Sequence, residues 1–226
     1  MRKLQPIFYI LCLICILPLP AAAQTILNEE FWAELQPLAS EFPDIPGEKR
    51  VSMDAAINRV LEEGRYVFSG MIFGFTFSYT PSDRSRNIAE EFTLEPVFQI
   101  PRGDPNLFVH QTRREGQRVF IRLRYLLHDF QEDWYAGTLS NIMRSSAGIG
   151  ESSYYTGYEE KITAIRNSVK SAVREHARTR IGNKPLKVSG NVFLEGAPRI
   201  EVYSGAFHAK SSVRLQIDDV VTYGVY

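Results

Sequence analysis

The longest periodic pattern in the sequence is a helical one over residues 158–180. Apolar side chains recur there every three or four residues, which places them along one face of an α-helix: Ile162, Ile165, Val169, Val173 and Ala177. Acidic residues open this segment and basic residues close it, as the helix dipole favours. Gly182 and Pro185 predict its end. A helix with one apolar face must be covered, and the following residues predict what covers it.

Four strands are predicted after this helix, over residues 187–194, 200–203, 208–217 and 220–226. Since no helix separates them, neighbouring strands are expected to pair in antiparallel fashion. The predicted fold class is therefore α+β, with one or more antiparallel sheets packed against one long helix and one or two shorter helices.

The N-terminal half shows the same order of helix followed by strands. A short helix is predicted over residues 27–38, followed by a proline-containing linker to residue 50. A second helix is predicted to begin after the N-cap Ser52 and to end at Gly64. Alternating aromatic residues then predict a strand over residues 66–79, and Pro96 marks residues 92–100 as an edge strand.

A β-hairpin is predicted over residues 107–127 around the turn Glu115-Gly116. That turn would place Phe108, His110 and Thr112 opposite Leu123, Ile121 and Val119 on the core side. A short helix over residues 128–140 and a long loop over residues 141–157, rich in Ser, Gly and Tyr, complete the prediction. One α+β domain over residues 51–226 results, with two modules that share a core, about 51–140 and 156–226, as the alternative description.

The first 23 residues have the features of a cleaved signal peptide. Arg2 and Lys3 precede an apolar run over residues 7–17, and three alanines at 21–23 predict cleavage before Gln24. Both cysteines lie in that run, so the mature chain is predicted to contain no cysteine. No later apolar stretch is long enough to predict a transmembrane segment. We therefore expect an exported, periplasmic protein of a bacterial cell envelope, with secretion as the alternative.

The charge distribution and motifs exclude several function classes. The chain has 26 basic and 26 acidic residues, which does not favour nucleic-acid binding. Its four histidines lie outside metal-binding motifs, and nucleophile-elbow and phosphate-loop patterns are missing. Adjacent acid pairs such as Glu159-Glu160 point in different directions and cannot flank one bond by themselves. No catalytic, metal or cofactor residues are predicted, and no cofactor is expected.

Three groups of residues are candidates for binding a partner. Four cations recur every four residues of the long helix and form a ridge: Arg166, Lys170, Arg174 and Arg178. A second basic row lies on the hairpin around Phe120: Arg118, Arg122 and Arg124, with Arg113. The third group is Tyr154 and Tyr155 in the predicted loop. Guanidinium groups suit carboxylates and phosphates, although either basic row could also be an ordinary solvated face.

These observations predict a soluble binding or scaffold protein that docks non-covalently to an anionic partner. The expected partner is an envelope protein or complex with an acidic surface, and a homo-oligomer is possible. The alternative is a periplasmic hydrolase of a cell-wall or glycan substrate, whose site would be assembled from residues far apart in the sequence. A deep pocket with converging carboxylates or histidines would favour the hydrolase, and flat basic faces would favour binding.

Overall fold

The computed structural model describes residues 24–35, 51–140, 143–180 and 186–223. In these ranges the chain forms three α-helices and nine strands in antiparallel sheets, which confirms the predicted α+β class. The predicted signal peptide, residues 1–23, and the proline-rich residues 36–50 lie outside the described ranges, as do Gly182, Pro185 and residues 224–226.

The elements follow in chain order. They are β1 (Ile26–Glu34), α1 (Met53–Ile72), β2 (Phe75–Thr80), β3 (Glu91–Pro96), β4 (Leu107–Glu115), β5 (Arg118–Leu126), α2 (Asp129–Thr138), β6 (Arg144–Ser153), α3 (Glu160–Arg180), β7 (Lys187–Leu194), β8 (Arg199–Tyr203) and β9 (Ala206–Val221).

The strands form two sheets. The smaller has the order β1-β5-β4, and the larger has the order β3-β2-β7-β9-β6, with β8 also paired to β9. The 16-residue strand β9 is long enough to pair with β6 along one side. Along its other side it pairs with β8 in its N-terminal part and with β7 in its C-terminal part. Within the described residues, β3, β6 and β8 each pair with one neighbour and are therefore edge strands of the larger sheet.

Helix α1 packs between the two sheets, and α3 packs on β6 and β9. The ring of Phe68 in α1 contacts Phe31 of β1 and Tyr125 of β5, with centroid distances of 6.0 and 6.2 Å. One connected apolar cluster includes both sheets, α1 and α3. Its burial is the main force that holds the layers together.

The helix predicted over residues 27–38 is wrong, because Ile26–Glu34 is strand β1 and pairs with β5 along its whole length. Leu27, Phe31 and Leu35 are four residues apart, a spacing that fits both a helix face and every second residue of a strand. The buried Ala33 between the last two agrees only with the strand. The first part of the segment 24–50 is thus built into the smaller sheet.

The helix end at Gly64 and the strand over 66–79 are also wrong, because α1 continues to Ile72 and β2 begins at Phe75. The cap at Ser52 is confirmed, since its side chain accepts a hydrogen bond from the Ala55 amide. Gly64 does not end the helix. It gives room to β5, since a Cβ there would lie 2.3 Å from Leu123 Cδ1.

The hairpin is confirmed, but its predicted register is wrong. The turn is Gly116-Gln117, and an irregularity between Val109 and Gln111 shifts the pairing. Thr112 therefore lies opposite Ile121, and the side chain of His110 is exposed rather than buried in the core.

The loop predicted over residues 141–157 is wrong for most of its length, because residues 144–153 form β6. The predicted helices over 128–140 and 158–180 and the strand over 187–194 are confirmed by α2, α3 and β7. The predicted strands over 208–217 and 220–226 belong to the single strand β9 as far as residue 221.

Candidate functional site

Helix α3 lies unusually close to the edge strand β6. A Cβ added at Gly148 would lie 2.1 Å from the carbonyl oxygen of Ser168, and one added at Gly150 would lie 2.0 Å from the amide nitrogen of the same residue. The two glycines are therefore needed for the helix to rest on the strand. This contact places the C-terminal half of α3 beside the edge of the larger sheet.

An open groove of about 450 Å³ runs between α3 and β6, and we call it the α3–β6 groove. Its lining combines three cations and one carboxylate with small or apolar residues: Ala147, Gly148, Ile149, Ser171, Arg174, Glu175, Arg178 and Lys210. The side chain of Ile149 is 58% exposed. The groove therefore offers positive charge beside an exposed apolar residue.

The two arginines of the groove are weakly engaged within the fold. Arg174 and Arg178 have side-chain exposures of 65% and 76%. Arg174 lies 3.9 Å from a carboxylate oxygen of Glu90, and Arg178 lies 3.7 Å from one of Glu175. Exposed ion pairs of this length contribute little, so both guanidinium groups can bind an external carboxylate or phosphate.

The other two cations of the predicted ridge, Arg166 and Lys170, interact with residues of the fold itself. Lys170 lies 2.5 Å from Glu90, which also accepts a hydrogen bond from the Tyr79 hydroxyl. Burial alone would raise the pKa of Glu90, but the hydrogen bonds from Lys170 and Tyr79 lower it below its ordinary value. Arg166 is half-buried, and its charge opposes the burial that raises the pKa of Tyr66 to about 12. The ridge is thus continuous in sequence, but Arg166 and Lys170 are engaged within the fold whereas Arg174 and Arg178 are exposed.

The basic row of the hairpin exists as predicted, but it faces a row of carboxylates on β1. Arg118 lies 3.2 Å from Glu34, and Arg122 lies 3.4 Å from Glu30. Arg124 is half-buried beside them and pairs with Asn28 across the strands. Because β1 was predicted to be a helix, this neutralisation could not be foreseen. The hairpin row is a less suitable anion site than the groove.

The two predicted tyrosines lie away from the groove. Tyr154 donates a hydrogen bond to Glu34, and its ring packs on Phe207, so it joins the two sheets. Tyr155 is 55% exposed. It lies in the turn that follows β6, and neither tyrosine lines the groove. The structure therefore brings together Arg174 and Arg178, and it separates them from the hairpin arginines and the tyrosines.

A larger cavity, of 580 Å³, lies between α1, the start of α3 and the turn at residues 102–104. Three of its carboxylates have internal partners. Glu62 binds both Arg65 and Arg102 at 2.8 Å, and Asp104 accepts a hydrogen bond from Tyr125. Hydrogen bonding from Arg102 lowers the pKa of Glu62. A glycosidase acid needs the opposite shift.

The third carboxylate, Glu63, belongs to a buried network at the base of this cavity. Its Oε2 lies 2.7 Å from both Lys161 Nζ and the Tyr158 hydroxyl, and Lys161 also donates to the Trp32 carbonyl. Burial lowers the pKa of Lys161 and, together with the charge of Glu63, raises that of Tyr158. This arrangement links β1, α1 and α3 and leaves the three groups paired with one another.

Two groove residues, Ile149 and Lys210, were not among the predicted binding residues. They lie opposite each other on β6 and β9. Lys210 lies in the strand predicted over residues 208–217, but its position opposite Ile149 depends on the pairing of β9 with β6. Since β6 was predicted to be a loop, the sequence offered no signal for that pairing.

Within the described residues, no helix is long and apolar enough to cross a membrane. The same part of the chain has no group of three or more His, Cys, Asp or Glu residues arranged to hold a metal ion.

Comparison with known proteins identifies a family without a defined activity. A family model matches residues 15–223, so the chain belongs to that family, whose function is unknown. A protein of Treponema pallidum (strain Nichols), described as uncharacterized, is 27% identical over 165 residues, which are 73% of this chain and 69% of the relative. No solved structure matches the chain.

Proposed function

We propose that this member of the family is an exported binding protein of the bacterial cell envelope, located in the periplasm or secreted, that docks non-covalently to an anionic partner. The observation that carries the proposal is the convergence of Arg174, Arg178 and Lys210 on the α3–β6 groove. Three cations around one groove attract an acidic surface and give it a defined place to bind. The expected partner is an envelope protein or complex with an acidic surface.

The hydrolase alternative has one observation in its favour, the 580 Å³ cavity with several carboxylates. Against it, Glu62 is held by two arginines and Glu63 by Lys161 and Tyr158. Because hydrogen bonding from Arg102 lowers the pKa of Glu62, this carboxylate is a poor proton donor to a leaving group at neutral pH. Hydrolysis of cell-wall fragments by the purified protein, lost on Glu62→Gln, would restore this alternative.

Site-specific photo-crosslinking in cells tests the proposed docking site. A photoreactive amino acid is placed at Ser171 in the groove and, as a control, at the exposed Gln111 on the hairpin. We expect an acidic envelope protein to crosslink to position 171 and not to position 111. Crosslinks of equal yield from both positions, or from 111 alone, would contradict docking in the groove.

Charge reversal provides the second arm of this test. The variant Arg174→Glu/Arg178→Glu should abolish the crosslink from position 171 while the circular dichroism and melting temperature stay close to those of the parent. The matched control is Arg113→Glu/Arg114→Glu, which changes the net charge by the same amount on the hairpin. If the two variants weaken the crosslink equally, the effect is due to net charge and the groove is not the site.

Export is tested separately. Fractionation of cells should place the protein outside the cytoplasm, and mass spectrometry of its N-terminus should find Gln24 as the first residue. Recovery of the chain in the cytoplasm with residues 1–23 attached would exclude a role in the envelope.

A further inference from the structure

The edge strand β6 presents backbone hydrogen-bonding groups away from its neighbour β9. The amide of Tyr154 donates to the carbonyl of Gly205, so even-numbered residues of this strand face β9. The carbonyl of Glu151 accepts a hydrogen bond from the Asn167 side chain instead, which agrees with odd-numbered residues facing outward. Ser145, Ala147 and Ile149 therefore turn their N–H and C=O groups to the open side of the sheet.

This edge lacks the usual protection against an added strand. Proteins protect long edges with proline, inward-pointing charges or a covering element. Residues 145–150 are Ser, Ala, Gly and Ile, and within the described residues no strand pairs with β6 on its outer side. A stretch of about 20 Å with small side chains is accessible to another extended backbone.

Positive charge lies on both faces of the sheet beside this edge. Arg174 and Arg178 come from α3, which covers one face, and Lys210 lies opposite Ile149 on the other face. Side chains of an added strand would point alternately to the two faces. Acidic residues on one face would meet the arginines, and acidic or apolar residues on the other would meet Lys210 and Ile149.

We propose that β6 binds its partner by strand addition, with an extended acidic segment of the partner pairing along residues 145–149. This inference rests on the proposed function and specifies how the groove recognises its partner. A second copy of this chain is a poorer occupant, because pairing β6 with itself would bring two sets of Arg174 and Arg178 together. Backbone pairing supplies affinity, and the cations select an acidic sequence.

The test uses synthetic peptides and the purified protein. The probe is a fluorescent nonapeptide, Thr-Glu-Val-Glu-Thr-Glu-Val-Glu-Thr, measured by anisotropy. Two isomers carry N-methyl groups on alternate residues, one on the odd and one on the even positions, so that each blocks one edge of the peptide. A glutamate-rich helical peptide of equal charge is the control for attraction by charge alone.

We expect the parent peptide to bind, one N-methylated isomer to bind roughly tenfold weaker or worse, and the other isomer to retain its affinity, because only one edge of the peptide pairs with β6. Ala147→Pro removes an outward-facing amide without disturbing the β9 ladder and should weaken binding similarly. Ala147→Ser is its matched control and should bind as the parent does. The comparison of the two N-methylated peptides tests strand addition even where the proline variant does not fold.

Equal binding of both N-methylated isomers, or equal binding of the helical peptide, would overturn strand addition while leaving anionic docking in the groove intact. Failure of the parent peptide to bind would also overturn strand addition. The proposed function is tested separately, by the crosslink from position 171, by the charge-reversal variants and by the export experiment.

Discussion

The buried ion pair between Lys161 and Glu63 gives the strongest prediction about stability. The two side chains are 1% and 3% exposed, and their charged atoms lie 2.7 Å apart. Lys161→Met keeps a similar length of apolar chain but removes the ammonium group. Glu63 then stays buried with the Tyr158 hydroxyl as its remaining partner among those described here. The perturbation therefore tests the cost of an uncompensated buried charge.

We expect Lys161→Met to lower the free energy of unfolding by about 3–5 kcal/mol, the range for breaking one side of a buried pair. For a protein of this size, 1 kcal/mol corresponds to roughly 2–4 °C in the melting temperature. The melting temperature should therefore fall by roughly 6–20 °C. Replacing both partners, as in Lys161→Met/Glu63→Leu, should recover most of the loss, because no charge is left buried.

The opposite single variant, Glu63→Gln, has a distinct pH dependence. Burial lowers the pKa of Lys161, so the folded state binds fewer protons than the unfolded state between that lowered value and the ordinary 10.5. Stability therefore rises with pH in this window. Removing the Glu63 carboxylate, whose charge raises the pKa of Lys161, lowers that pKa further, so the deficit of Glu63→Gln relative to the parent should shrink as the pH rises through the lowered pKa toward 10.5.

Urea unfolding followed by circular dichroism measures these differences. The matched control is Arg199→Met, which breaks a pair with Glu201 of 3.0 Å whose side chains are 81% and 55% exposed. That variant should cost less than about 1 kcal/mol. A cost of Lys161→Met equal to that of Arg199→Met, or a double variant no more stable than the singles, would refute the argument from burial.

Two further predictions concern single positions. Gly150→Ala should destabilise the protein by about 1–3 kcal/mol or more in urea unfolding, because its Cβ would overlap the Ser168 backbone. Gly137→Ala, in α2 with nothing within 4 Å, should be neutral or stabilise by up to about 1 kcal/mol, and a comparable loss would contradict the packing argument. Glu90→Gln should cost less than about 1 kcal/mol at pH 7. Because the pKa of Glu90 is lowered by Lys170 in the fold, this difference should vanish in melting curves as the pH falls below that value, and a constant difference would contradict it.

The fold class could be predicted because its evidence is local. The face of α3 and the alternation in β7 each repeat over enough residues to distinguish a helix from a strand. The N-terminal errors come from spacings of four residues, such as Leu27 and Phe31 or Val67 and Met71, which fit both periods. Only the element against which such a segment packs distinguishes a helix from a strand, and the local sequence does not identify that element.

The candidate site could be predicted in part for the same reason. The ridge on α3 is a local pattern, but its division into an engaged half and an exposed half depends on Glu90, which lies 80 residues before Lys170 in the sequence. The hairpin row failed as a free basic face because Glu30 and Glu34 come from β1. Charge patterns in sequence therefore locate cations, but tertiary contacts decide which cations can bind a partner.

The glycines of β6 connect this lesson to the proposed function. Gly148 lies in the segment predicted to be a loop, whereas it allows α3 to lie against the strand. That close contact is what places Arg174 and Arg178 beside the strand edge. An alanine at Gly148 would push the helix outward, since its Cβ would meet helix backbone rather than a mobile side chain. We therefore expect Gly148→Ala to weaken binding of the acidic peptide more than an equally destabilising substitution in the smaller sheet, such as Val119→Ala. Equal losses of binding in the two variants would contradict the argument that the close contact between α3 and β6 positions the groove.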